Sequence, residues 1–197
     1  MPRDTTMNPV VIRAAGPEDA PHFVRIFDRA SNGLAPYFWA EAAKPGQTAT
    51  EVGLARIHEK LRGAPAGTCF VAEVAGQVAG GIFSYDIGAD PVEIEPGTHP
   101  VVVPLIELEN EALQTRYINA IAVFDGFQGK GVATMLLGQV ARYAGANGMS
   151  LIVEDDNDRA RQLYRRLGYV DITSRAIVKS GWMCDSTRDI LMVKPRH

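Results

Sequence analysis

Residues 127–136, FQGKGVATML, set Gly129, Lys130 and Gly131 directly ahead of a run with helical character. Glycine at a strand-to-helix turn lets main-chain N–H groups come close to a ligand, and the first turn of a helix carries unpaired donors and a partial positive charge. That combination suits an anion, above all a phosphate. Further along, residues 157–168, NDRARQLYRRLG, place Asn157 at a helix start and Tyr164 within the helix. An asparagine there can cap the helix or bond a ligand, and a phenol can hand a proton to a departing group. Tyr164 also shares a stripe with Leu163 and Leu167, so core packing is the competing reading.

Three glycine-rich patterns compete for the turn, and spacing separates them. A P-loop needs GxxxxGK followed by Ser or Thr, whereas Lys130 is followed by Gly131 and Gly126 stands too near Gly129. A dinucleotide fingerprint would run Gly129, Gly131, Thr134 and so lacks its third glycine. The pattern Gln-x-x-Gly-x-Ala is satisfied by Gln128, Gly131 and Ala133, between an apolar strand and a long helix.

The elements that must hold these residues follow from periodicity. Residues 9–15 read as a strand, followed by a helix with Phe23, Ile26 and Phe27 on one face. A second helix is expected at 50–61, with 33–47, including Tyr37, Phe38 and Trp39, as an irregular connection. Residues 68–87 form a hairpin turning at Ala75-Gly76-Gln77. Residues 88–104, with four prolines, leave the sheet, and LIELENEALQ supplies a short helix. Residues 115–124 form a strand apolar enough to be covered on both faces, after which the glycine turn opens a helix running to about Asn147-Gly148. Another strand at 149–156, a helix ending at Gly168 and two terminal strands around a polar loop near 181–186 complete the chain. Strands alternating with helices, plus a hairpin, indicate an α/β or α+β fold, one domain over residues 1–197 with an insertion at about 88–112.

Composition bounds the function. The chain has 197 residues, 46% hydrophobic and 22% charged, enough for a real core. Net charge is −3, and basic residues gather only at Arg159, Arg161, Arg165 and Arg166, which argues against nucleic acid as a partner. Cys69 and Cys184 lack metal-ligand spacing and read as free thiols in a reducing compartment. No stretch reaches the roughly 20 apolar residues of a membrane span, and residues 1–10 hold no apolar leader segment, so a cytoplasmic location is expected.

The run INAIAVFDGFQGKGVATMLL resembles the acetyl-coenzyme A motif of the GNAT superfamily of N-acetyltransferases, and EDDNDRARQLYRRLGY resembles its second motif, closing in Leu167-Gly168-Tyr169. The two stand in the family's order and cover residues 117–169. The resemblance implies a mixed, mostly antiparallel sheet of about seven strands with about four helices. It implies acetyl transfer from acetyl-coenzyme A, without metal, to a primary amine of a small molecule, peptide or protein. A homodimer, transfer to oxygen or of another acyl group, and a coenzyme A-binding module without turnover stay open.

By the same resemblance, residues 128–134 (Gln128, Gly129, Lys130, Gly131, Val132, Ala133 and Thr134) hold the diphosphate with their N–H groups. Ile121, Ala122 and Val123 offer backbone to the pantetheine arm, and Asn157 assists. Tyr164 is the implied general acid. Tyr117 and Asn119 stand where some relatives place His or Glu, and neither is a good base at neutral pH. Among Glu107, Glu109 and Glu111, which precede that strand, Glu109 is the candidate base, with ordered water as the alternative. An acceptor pocket between the first helices and the last loop points to Tyr37, Phe38, Trp39 and Trp182, residues that can equally pack as core.

Overall fold

The computed structural model describes residues 9–196, so residues 1–8 of the segment read as leader-free lie outside it. Among the described residues seven strands form one sheet in the order β1-β2-β3-β4-β5-β7-β6: β1 (Val10–Ala14), β2 (Cys69–Val74), β3 (Gln77–Asp86), β4 (Arg116–Val123), β5 (Met149–Glu154), β6 (Val170–Ala176) and β7 (Arg188–Lys194). Every neighbouring pair is antiparallel except β4 and β5, which run parallel. The mixed, mostly antiparallel sheet is thus as expected.

Among the described residues six α-helices flank it: α1 (Ala20–Ala30), α2 (Leu34–Glu41), α3 (Ala49–Arg62), α4 (Val103–Asn110), α5 (Val132–Ala141) and α6 (Asp158–Arg166). One core lies between the sheet and α5–α6, built on Ile82, Leu136, Val140, Leu151 and Met192; a second, with Phe23, Ile26, Val71 and Phe83, sits beneath α1 and α3. A smaller third cluster joins Leu108 of α4 to Tyr117 and Leu191.

Local chemistry explains most boundaries. Ala75 and Gly76 both have positive φ (52° and 74°), the two-residue turn that matches strand twist in a hairpin. At α3, Thr48 Oγ1 accepts from the Glu51 N–H at 3.2 Å while the Glu51 carboxylate accepts from the Thr48 N–H at 2.7 Å, a reciprocal cap. Two readings are corrected. Residues 34–41 are helical, because Trp39 packs its ring on Gly53 of α3 and tertiary burial rewards the turn. Helix α5 stops at Ala141, well before Gly148: Gly145 lies so close to the backbone of Gln114 and Thr115 that a Cβ would stand 2.2 Å from the Gln114 carbonyl oxygen. The Asn147 N–H donates to that same oxygen at 3.0 Å, so contacts with the approach to β4 replace helical bonds. Among the described residues no helix is long and apolar enough to cross a membrane.

Candidate functional site

The site begins where the sheet opens. β4 pairs with β5 only from Arg116↔Met149 to Ile118↔Leu151, whereas its pairing with β3 continues to Gly80↔Val123. The β3–β4 register skips Asn119, since Phe83 faces Ala120 and Ser84 faces Ile118. A bulge adds a residue to one strand, bends it and ends regular pairing. Beyond Asn119 the two parallel strands therefore diverge, and β4 is left without a strand partner on that side.

Two cavities of about 550 Å³ each meet at this opening and share Arg29, Ile121, Asn157, Ala160 and Tyr164 in their walls. The first lies in the wedge, lined by Tyr117, Asn119, residues 151–154, Trp182 and Asp189. The second runs over the end of β4 to the head of α5, past Ile121, Ala122, Val123, Gln128, Gly129, Gly131, Val132, Ala133 and Thr134. Of the residues expected to hold a cofactor, only Lys130 lies outside these walls; its ammonium sits 5.5 Å from the Phe127 ring centroid.

The backbone of this loop explains its composition. Gly129 and Gly131 have φ of 75° and 78°, in the left-handed region, and Gly131 forms the N-cap of α5. A Cβ at either would meet nothing within 4 Å. Glycine is thus demanded here by conformation, not by crowding from the protein, and the space beside it stays open. Among the described residues the N–H groups of residues 128–134 donate to no protein acceptor, the first bond of the helix being Met135 N–H to the Gly131 carbonyl at 3.0 Å. Arg159 of α6 bonds the Gln128 side chain at 2.8 Å and ties the two motifs together. Arg161 and Arg165 are paired with Asp171, whereas Arg159 and Arg166, both in the second cavity's wall, form no ion pair among the described residues.

Asn157 caps α6, its Oδ1 accepting from the Ala160 N–H at 3.2 Å, while its side chain also lines both cavities. Capping uses the oxygen, and the amide N–H₂ donates to no protein acceptor among the described residues. Tyr164 is 8% exposed, its ring 5.7 Å from that of Tyr169, and its hydroxyl bonds nothing among the described residues. Burial pushes this phenol up to about 12, so at neutral pH it is protonated and acts as a donor.

The remaining expected residues are divided by the fold. Tyr117 is buried in the wall of the wedge against Tyr85 of β3, with ring centroids 5.1 Å apart, and Asn119 is the bulged residue. Glu109 on α4 lines neither cavity; it accepts from the Tyr85 hydroxyl at 2.8 Å, and burial raises its carboxyl above the ordinary range. Trp182 does reach the wedge, its indole N–H held by the Asn32 carbonyl at 3.2 Å. Tyr37 is turned to Glu41 and the Ser180 carbonyl, Phe38 packs on His99, and Trp39 is core, and none of these three is in the walls of the two cavities described above.

Several lining residues were missed from sequence: Arg29 on α1, Glu154 and Asp156 at the end of β5, and Asp189 on β7. EDD at 154–156 is visible as an acidic run, but nothing in the chain order pairs it with Asp189.

Comparison with known proteins agrees with this geometry. The model of the acetyltransferase (GNAT) family matches residues 34–169. No curated protein matches the chain. Similar solved structures include a ribosomal-protein-alanine N-acetyltransferase from Brucella melitensis, with TM-score 0.61, 21% identity and coverage of 94% of this chain and 99% of that one. The ribosomal-protein-S18-alanine N-acetyltransferase from Escherichia coli follows at TM-score 0.58 and 18% identity, covering 95% and 94%. An N-acetyltransferase from Staphylococcus aureus Mu50 aligns at TM-score 0.58 and 23% identity, covering 94% and 96%. With the family match spanning most of the sequence and the opened sheet beside an α5 head rich in free N–H groups, the chain belongs to the GNAT acetyltransferase family.

Proposed function

We propose that the protein is an acetyl-coenzyme A-dependent N-acetyltransferase acting on a primary amine of a small molecule or peptide by direct attack in a ternary complex, the whole chain working as one domain with residues 88–112 as an insertion. The observation that carries this reading is the set of unpartnered N–H donors at residues 128–134, next to a strand whose edge is opened by the Asn119 bulge. A diphosphate matches those donors without a metal, and the open space at Gly129 and Gly131 leaves room for it. Arg159 and Arg166 suit a further phosphate at the nucleotide end. The unpaired side of Ile121, Ala122 and Val123 and the Asn157 amide suit the amide groups of the pantetheine arm.

Bound there, acetyl-coenzyme A supplies an acyl group activated as a thioester. Tyr164, in the wall of both cavities, donates to the sulfur. A thiol of this type has a pKa of about 8.5, so complete transfer from a phenol at about 12 runs uphill. The hydroxyl therefore works by hydrogen bonding to sulfur as charge develops, in a site where burial strengthens the bond. Free Cys69 and Cys184 fit a reducing compartment such as the cytoplasm.

The test follows thiol release from acetyl-coenzyme A with a panel of amines. Turnover should fall by about 10²-fold or more in Tyr164→Phe while coenzyme A affinity holds. An unaltered rate would remove Tyr164 from the chemistry, and tight cofactor binding with no amine ever acylated would favour a regulatory coenzyme A-binding module.

A further inference from the structure

We propose that Asp189, at the start of β7, receives the ammonium group of the acceptor and takes its proton, and that the acceptor is therefore an amine whose reactive end is cationic and carries no adjacent carboxylate. This rests on the acetyltransferase reading of the site.

Asp189 is 8% exposed and lines the wedge cavity, yet its carboxylate makes neither hydrogen bond nor ion pair among the described residues. Buried carboxylates are ordinarily paired, so one left bare against a cavity is waiting for a cation from outside. The sheet register sharpens the point. Across β5, β7 and β6 the row Glu154↔Asp189↔Arg175 points to the face that carries α4. Arg175 is the cross-strand neighbour able to neutralise Asp189. Instead its guanidinium is turned to α4, bonding Glu107 at 2.8 Å and Glu111 at 3.4 Å. On the other side stands Glu154, a like charge directly opposite, which destabilises an antiparallel pair.

Glu154 is held in place by Asn32 at 3.0 Å and by the Ser186 hydroxyl at 2.8 Å, and the same hydroxyl reaches Asp156 at 2.8 Å. Glu154, Asp156 and Asp189 thus give one end of the wedge a concentrated negative charge, with Trp182 beside them. An ammonium resolves that repulsion, and a carboxylate on the carbon next to the amine would add to it.

Placement relative to Tyr164 gives the carboxylate its role. Tyr164 belongs to the core on the α5–α6 face, whereas the Asp189 row points to the α4 face. The two faces communicate only where β4 and β5 have parted. An acyl group lodged in that gap has the phenol on one side and the carboxylate on the other, the disposition that amine entry and thiolate departure require. Burial first, then the charges of Glu154 and Asp155, push Asp189 up to about 7, which suits proton acceptance near neutrality. The other ionisable groups around it are Tyr117 on β4, Arg175 on β6, Cys184 in the loop before β7, Tyr164 across the cavity and, also in the cavity wall, Arg29 of α1, whose guanidinium is paired with Asp125.

The step balances as follows. The ammonium passes one proton to the Asp189 carboxylate, and the freed nitrogen lone pair forms the N–C bond to the acyl carbon. The C–S bond breaks with its electron pair going to sulfur, beside the Tyr164 hydroxyl. The nitrogen's second surplus proton neutralises the thiolate, and Asp189 returns its own to solvent, so amide, thiol and one released proton are the products.

Asp189→Asn keeps shape and removes the acceptor oxygen's charge. Using the full-length protein with saturating acetyl-coenzyme A, its kcat for a simple diamine should fall by about 10²-fold or more, and the rise of kcat/KM through neutral pH should disappear. Coenzyme A affinity should be unchanged. Glu154→Gln should move that rise to lower pH and, having lost one of the charges that draw the ammonium, raise KM for the diamine. Diamine binding to the protein–coenzyme A complex, measured by calorimetry, should weaken at least tenfold in Asp189→Asn, and an amino acid should bind more weakly than the diamine in the wild type. A wild-type pH profile and rate in Asp189→Asn overturn the proposal. If the wild type acylates no amine, the acetyltransferase reading fails and the calorimetry alone judges Asp189: diamine binding that is absent, or undiminished in the variant, overturns its role.

Discussion

A phenol and a carboxylate, both buried, illustrate how one environment sets opposite tasks. Burial raises both groups, and the consequence differs because near neutral pH Tyr164, at about 12, keeps its proton and can only donate a hydrogen bond, while Asp189, at about 7, can take up or release a proton. Asp189 also carries a cost to folding. Its folded-state value lies above the ordinary 3.8, so the folded chain binds the proton more tightly than the unfolded one. Its contribution is harmless below about pH 4 and becomes progressively destabilising as pH rises toward 7, by on the order of 4 kcal/mol in total. Asp189→Asn should therefore be more stable than the wild type at pH 8 and about equal to it near pH 4, as read from denaturant unfolding at both values. Equal stability at both would mean that the carboxylate finds a counter-charge in solution. A stabilised variant that has lost activity is what a strained functional group predicts.

Between β4 and α5, conformation and ligand space are separable. Gly131 caps the helix at φ 78°, where a β-branched residue is strongly disfavoured and asparagine is tolerated. Gly131→Val should lose about 1–3 kcal/mol of stability, whereas Gly131→Asn should lose less. Both place atoms in the space open beside the N–H donors, so both should weaken coenzyme A binding by at least about tenfold, equivalent to about 1.4 kcal/mol. Thermal unfolding paired with cofactor titration distinguishes the two effects. Wild-type affinity in Gly131→Asn would put the diphosphate somewhere else. The Asn119 bulge belongs to this scale too, since pairing with β5 ends before it while pairing with β3, its register shifted by one residue, continues to Val123.

For the whole molecule, the proposed site is a seam between two parts of one sheet. β1 to β4 hold α1 and α3, β5 to β7 hold α4 against β6 and β7, and the parts join through a short parallel pairing and the α5–α6 core. A ligand that bridges the seam binds only the folded arrangement, so coenzyme A at a hundred times its dissociation constant should stabilise the protein by about 2.7 kcal/mol. The increment should fall to about 1.4 kcal/mol or less in Gly131→Val at the same concentration, because a tenfold weaker affinity leaves coenzyme A at only about ten times its dissociation constant. A melting temperature insensitive to coenzyme A in the wild type would show that the seam is not its binding place.

The sequence by itself determined what depends on neighbours along the chain. Gln128-x-x-Gly131-x-Ala133 and residues 157–169 were legible because helix starts, left-handed glycines and apolar stripes are local signals, and they sufficed for the family and the fold class. The helix at 34–41 was hidden because Trp39 is stabilised by a glycine in another helix, and the early stop of α5 because Gly145 answers to the backbone of Gln114. Only the tertiary structure decided which acids face the opening. Glu109 is turned to Tyr85, while Glu154 and Asp189, distant in sequence and the latter beyond the residues that the family model matches, become cross-strand neighbours. Charge acts through space, so a carboxylate's partners, and with them its proton affinity, are settled by strand register and not by chain order.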